Sequence, residues 1–185
     1  ILSRQKEIEV CIVNPTFMIG PHDSKPSSGK IILMGVKRRV LFYPPGGKNF
    51  VSVTSVAAAI ERCIHAGKNG ERYLLADANM TYWAFFKMLK GQTKKRQLLL
   101  PVPVFILRLA GYAGDALRLF RIKTSLCTNN MKILCVKNYY DNRTSVTELG
   151  AQYQSIEKAV AESIAYFNGK GTTNAEHAWA DVTSA

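Results

Sequence analysis

The stretch VCIVNPTFMIGPHD, Val10 to Asp23, holds the residues best placed to meet a ligand. Its apolar run, Glu9 to Val13, predicts a buried strand, stopped at Asn14-Pro15-Thr16 and followed by a second short strand at Phe17 to Ile19. Backbone groups left unpaired at such a break are available to a ligand, because crevices in open α/β sheets form at strand ends. A plain strand, turn and strand accounts for the same spacing without any ligand. Tyr166 and Lys170 stand four apart, a phenol and an ammonium that one helix turn could bring together. Gly169 lies between them at a predicted helix end, where a fixed i,i+4 geometry is hard to hold, so neither is assigned a catalytic role. Cys63 and His65 are close in sequence, but no second ligand pair has zinc-site spacing, so no metal site is expected.

The elements that would position these residues follow from periodicity. A polar loop from His22 to Lys30 leads to a short helix, Lys30 to Val36, and then a strand, Arg39 to Tyr43, ended by Pro44-Pro45-Gly46-Gly47. Asn49 to Val53 reads as a short extended piece. Val56, Ala59, Ile60, Cys63 and Ile64 recur at helical spacing behind an N-cap at Thr54 or Ser55, and Gly67 closes that helix. A strand is expected at Glu71 to Ala76, then a helix capped by Thr81 and running to Lys90. Pro101-Val102-Pro103 opens a long apolar and basic helix toward Phe120. Further helices are expected at Asn129 to Lys137 and Ile156 to Phe167, with an irregular stretch from Tyr139 to Gly150. This order suits the later part of an α/β fold whose sheet begins elsewhere. The start at Ile1 rather than methionine agrees with a chain that begins inside a longer protein.

Composition narrows the partners. The formal charge of +12 among 185 residues favours anionic ligands: a phosphate-bearing cofactor, an acidic membrane surface or nucleic acid. Basic and aromatic residues do not interleave in any recognition motif, so no nucleic-acid partner is assigned. Four scattered cysteines, Cys11, Cys63, Cys127 and Cys135, form no C-x-x-C pair and read as reduced thiols of a cytoplasmic protein. Asn79-Met80-Thr81 and Asn142-Arg143-Thr144 match the glycosylation sequon, which matters only for a secreted protein. No apolar run reaches the length needed to span a bilayer.

Taken together, Asn14-Pro15-Thr16 with Ile19-Gly20-Pro21-His22-Asp23, Asn49-Phe50-Val51-Ser52-Val53 with Val56-Ala57, Gly70-Glu71-Arg72-Tyr73-Leu74-Leu75, and Thr147-Glu148-Leu149-Gly150 carry a resemblance. The chain resembles the C-terminal half of an extended short-chain dehydrogenase/reductase, within the NAD-dependent epimerase/dehydratase superfamily. The dihydroflavonol reductase-like and 3β-hydroxysteroid dehydrogenase-like branch is the nearest. The resemblance implies an α/β chain: the C-terminal portion of a Rossmann-type fold with a mostly helical substrate-binding region. On this basis residues 1–170 hold the last strands of the dinucleotide-binding sheet plus the substrate-binding region, and residues 171–185 form a disordered tail. It also implies NAD or NADP as cofactor, with Pro15, Thr16, Phe17 and Met18 beside the nicotinamide.

The family's glycine-rich phosphate loop and its catalytic Tyr-x-x-x-Lys pair both belong upstream of the Asn-Pro-Thr strand, and neither has a counterpart here at its expected place. The expected function is therefore the substrate-binding half of an NAD(P)-dependent oxidoreductase or epimerase, inactive alone, whose partners are a small-molecule substrate and the missing N-terminal half. His22, Ser27, Ser28 and Tyr43 are the candidate substrate-facing residues, although His22 is equally at home as a solvated loop histidine. The alternative is a basic module that binds membrane surfaces or anions through the stretch LLLPVPVFILRLAGYAGDALRLFRIK. A helix that packs its apolar stripe into the substrate region explains the same stretch and is favoured over it.

Overall fold

The computed structural model describes residues 8–23, 28–122 and 124–169. In chain order the elements are β1 (Ile12–Pro15), β2 (Phe17–Ile19), α1 (Lys30–Lys37), β3 (Val40–Tyr43), β4 (Gly47–Ser52), α2 (Val53–Ala66), β5 (Arg72–Leu75) and β6 (Ala78–Thr81). They continue as α3 (Tyr82–Thr93), β7 (Leu98–Pro101), α4 (Val104–Leu119), α5 (Thr128–Cys135), β8 (Lys137–Asn138), α6 (Arg143–Leu149) and α7 (Ile156–Gly169). Strand β1 runs parallel to β5, and β3 runs parallel to β7. Strand β4 is the hub of the third sheet, with β2 and β8 parallel to it and β6 antiparallel.

The residues of β4 explain why it is the hub. Successive side chains of a strand point to opposite faces, and a strand covered on both faces reads as a continuous apolar run. Phe50 is fully buried among Ile19, Ile32, Leu41, Phe85, Leu89, Val160 and neighbours from α1, α3 and α7. Val51, its neighbour in sequence, is fully buried on the other side with Val56, Ala59, Tyr73, Leu75 and Leu149. One strand thus separates two apolar cores. Phe50 anchors the first core through its rings' contacts, stacked on Phe85 at 4.4 Å between centroids and edge-on to Phe17 at 5.6 Å.

Several boundaries differ from expectation for identifiable reasons. Strand β1 extends through Asn14-Pro15, because in its pairing with β5 the proline's missing N–H is not called upon. Ser52 rather than Thr54 or Ser55 caps α2, its hydroxyl accepting from the Thr54 N–H at 3.3 Å, so the helix begins three residues early at Val53. Thr81 caps α3 as expected, accepting from Ala84 N–H at 3.1 Å, but the helix continues past Gly91 to Thr93. Leu98–Pro101 is a strand, since pairing with β3 gives it a ladder partner that its prolines did not suggest. The supposedly irregular stretch from Tyr139 to Gly150 contains α6, ended by Gly150 at φ +61 with its N–H donating to Ser145 O.

The cysteines also depart from expectation. Cys11 and Cys63 are joined as a disulfide between the start of the β1 segment and α2, with Cα atoms 6.5 Å apart. Cys127 and Cys135 are free. The expected tail, residues 171–185, lies outside the described residues.

The two-core arrangement has a measurable consequence. Phe85→Ala, which empties the stacking partner of Phe50, is expected to lower unfolding stability by about 3–5 kcal/mol. Trp83→Ala, two residues away at a side chain 46% exposed, should cost less than about 1 kcal/mol. Urea unfolding followed by circular dichroism checks the contrast, and equal losses would contradict the assignment of Phe85 to the core.

Candidate functional site

The candidate site forms where the chain leaves one sheet for another. At the carboxyl end of β1, Thr16 donates its backbone N–H to Leu75 O of β5 at 3.0 Å, and the next residue starts β2 beside β4. The carboxyl ends of β1 and β5 therefore lie together at a change of sheet, the type of position at which open α/β sheets form ligand crevices. Pro15 and Met18 expose their side chains here, Met18 at 38%, while Thr16 and Phe17 are half-buried. The four cofactor-facing positions expected from the sequence thus form one contiguous edge, two facing out and two anchoring it.

The anchoring is polar. Asn49 of β4 is only 2% exposed, and its side-chain oxygen accepts from the Thr16 hydroxyl at 2.6 Å and from the Asp77 N–H at 3.1 Å. Its amide nitrogen donates to Asn79 Oδ1 at 2.8 Å. Asn79 in turn exchanges bonds with the backbone of Tyr140, accepting from its N–H at 3.1 Å and donating to its carbonyl at 3.0 Å. Burial of an unpaired amide is costly, so the network fixes the side chains as a set. Phe17 packs against Phe50 on one side, and Lys48 Nζ sits 4.3 Å from the centroid of the Phe17 ring. Partial burial lowers the Lys48 pKa from its ordinary value.

The end of β5 contributes charge. Asp77 follows Leu75 and Ala76, and burial, with a smaller contribution from Glu157, raises its pKa above the usual carboxylate range. Around it, Asn142 donates to Ala76 O at 2.7 Å, and the Tyr153 hydroxyl shares a 2.8 Å hydrogen bond with Ser145 Oγ. Burial raises the Tyr153 pKa as well.

The residues expected to face substrate are not drawn together in the same way. His22 adopts φ +67 and packs its ring on Tyr166 of α7, 4.8 Å between centroids. Ser28 precedes α1, where its carbonyl accepts from Ile31 N–H at 3.3 Å, and Asp23 Oδ2 accepts from Gly29 N–H at 3.0 Å. Tyr43 ends β3 half-buried against the first core, its carbonyl accepting from Val102 N–H at 2.9 Å. Ser27 lies outside the described residues, as does Lys170. The Tyr166 ring is set between those of His22 and Phe167.

Sequence reasoning passed over Asn49, Asp77, Asn79, Lys48 and Tyr140. A signal was present, since asparagine is depleted in strands, and Asn49 stands directly before the apolar pair Phe50-Val51 of β4. Among the described residues no group of three or more histidine, cysteine, aspartate or glutamate side chains could hold a metal ion. A groove of about 370 Å³ lies elsewhere, beside β1 and α2, and is lined by Val10, Cys11, Val13, Ile60, Cys63 and Ile64.

No family model matches the chain. It is 29% identical over 177 residues to a dihydroflavonol 4-reductase-like protein of Synechocystis sp., covering 92% of this chain and 52% of that protein. Among solved structures, gox2253 superposes with a TM-score of 0.73 at 26% identity, covering 92% of this chain and 52% of that one. RMD from Pseudomonas aeruginosa, solved in complex with NADPH, shares the fold at a TM-score of 0.57 and 12% identity, covering 88% and 49%. The chain spans about half the length of the relatives it matches. In sequence and fold it resembles the C-terminal part of an extended short-chain dehydrogenase/reductase of the NAD-dependent epimerase/dehydratase superfamily, in its dihydroflavonol reductase-like branch.

Proposed function

We propose that this chain is the substrate-binding half of an NAD(P)-dependent oxidoreductase or epimerase and is inactive without an upstream half that carries the phosphate-binding loop and the proton-transfer pair. The observation that carries the reading is the state of β1. It is an apolar strand with one described partner, β5, and it lies beside a groove on which Ile60 and Ile64 of α2 stand 43% and 77% exposed. A strand of this composition is at home in a sheet interior, covered on both faces. A neighbouring strand from the upstream half would pair with its free edge and bring the covering of Ile60 and Ile64 with it. Residues 1–170 then belong to one composite domain, with 171–185 as a tail.

In this reading NAD or NADP lies across the carboxyl end of β1. Pro15 and Met18 offer an apolar surface to the nicotinamide ring, and Thr16 and Phe17 hold that surface in place through Asn49 and Phe50. When bound, the cofactor supplies hydride transfer, and the protein supplies orientation. Fit is supported by the exposure of Pro15 and Met18 at a sheet change. His22, Ser28 and Tyr43 remain substrate-side residues in this proposal, with Ser27 alongside them in sequence. A cytoplasmic location belongs to the same reading.

Calorimetric titration tests the proposal. The chain alone is expected to show no saturable binding of NADPH or NADH at moderate salt, where attraction to a protein of +12 is screened. Co-expressed with the upstream half, it should bind one equivalent, and Met18→Arg should weaken that binding by roughly tenfold, about 1.4 kcal/mol. Stoichiometric binding by the chain alone, abolished by Met18→Arg, would show a self-sufficient cofactor site and defeat the half-enzyme reading.

Asp77 gives a second test. A carboxyl whose folded pKa is raised favours its neutral form, so its ionisation weakens the fold above the unfolded pKa, and this is relieved as pH falls through the folded pKa. Asp77→Asn should therefore raise Tm at pH 7 by about 1–2 °C, with partial solvent screening keeping the gain small. The gain should shrink toward zero near pH 4. A constant difference across this range would mean that the aspartate acts through its shape, not its charge.

A further inference from the structure

Helices α4 and α5 form a hairpin that is attached to the rest of the chain differently from every other helix. Its buried positions on α4 are Gly111 and Gly114 alone. A side chain at Gly111 would meet Thr128 Cα at 2.8 Å, and one at Gly114 would meet the Leu126 carbonyl carbon at 2.5 Å, so the two glycines are what lets α5 lie against α4. A narrow stripe of Gly111 and Gly114, with Leu107 and Ala110 half-buried beside them, is turned inward, and the larger apolar side chains named next face out. Phe105, Leu109, Tyr112 and Leu119 recur at spacings of four, three and seven, and are 69%, 67%, 63% and 83% exposed. Ile106, Leu117 and Phe120 widen the same face, and Ile122 extends it past the helix end.

Charge around this face is of one sign. Between residues 98 and 137 there are six lysines and arginines against a single acid, Asp115. That acid is turned onto the hairpin itself, where its carboxylate accepts from Thr128 N–H at 3.2 Å. Arg118 closes the turn by donating to Thr124 O at 2.9 Å. Arg108, Arg121 and Lys132 are exposed, and Arg121 sits at φ +61 between the exposed Phe120 and Ile122. A second copy of the chain would bring this basic rim against itself, and the apolar face is wider than the two-position seam of a helix pair. An acidic lipid surface satisfies both features at once.

We propose that the α4–α5 hairpin is a membrane-surface docking element. Helix α4 lies in the plane of an anionic bilayer with Phe105, Leu109, Leu119 and Phe120 among the acyl chains and Arg108, Arg121 and Lys132 on lipid phosphates. No described helix is long and apolar enough to cross a membrane, so the attachment is to one leaflet only. This proposal stands on residues separate from the cofactor edge.

Sedimentation of the purified chain with vesicles tests it. Binding is expected to vesicles of phosphatidylcholine with about one-third phosphatidylserine, to be weak with phosphatidylcholine alone, and to fall as salt is raised. Leu109→Glu with Phe120→Glu should weaken binding at least about tenfold, and Arg121→Glu about fivefold. These positions are exposed, so an unchanged thermal melt confirms that each variant is folded. Ile64→Glu, on the groove beside β1, should leave binding unchanged. Three outcomes overturn the proposal: absence of wild-type binding, equal loss with Ile64→Glu, or a dimer in light scattering that Leu109→Glu dissolves in place of any vesicle effect.

Discussion

The carboxamide of Asn49 is the constraint on which this molecule's crevice depends. It is sealed from water on a strand that divides two apolar cores, so its hydrogen bonds must be made within the protein. Its oxygen takes the Thr16 hydroxyl and the Asp77 N–H, and its nitrogen reaches Asn79. Those three contacts join the ends of β1, β5 and the start of β6. A hydrophobic residue of similar size would keep the core filled and leave the Thr16 hydroxyl and Asp77 N–H without this acceptor, so the edge that carries Pro15 and Met18 would lose its reference point. Packing energy builds the two cores, but this amide sets how the sheets meet.

Much of that architecture was legible in the residues because strong local signals coincided with tertiary packing. Gly67 after a 3.6-residue apolar period, Thr81 before Tyr82, and the Asn-Pro-Thr break each point to an element end that the structure contains. The misses share a cause. Leu98–Pro101 and Ala78–Thr81 are strands because of partners far along the chain, β3 and β4, and no local pattern announces a partner. Helix α6 was hidden by its polar composition, RTSVTEL, whose buried positions are Ser145 and Leu149. Asn49, Asp77 and Asn79 escaped because their roles exist only once three strands converge.

The cysteines illustrate the same limit. Spacing alone cannot bring Cys11 to Cys63, fifty-two residues away, whereas the packing of α2 over the β1 segment does. Closure of a loop of that length restricts the unfolded chain wherever conditions are oxidising. The link also fastens the outermost described strand to its covering helix at a place where the sheet has no further described neighbour.

The parallel pairings carry one more implication, for the order of assembly. Ile12 pairs with Arg72 and Val40 with Leu98, so both outer pairs wait for about 60 residues of intervening chain. At roughly 5–20 residues per second on a ribosome, β1 stands unpartnered for several seconds before β5 can appear. During that interval its apolar CIV run is an uncovered strand edge, available to any other extended segment. Nascent-chain protection, by a chaperone or by an earlier-made strand already in place, therefore becomes part of how this topology reaches its native pairing.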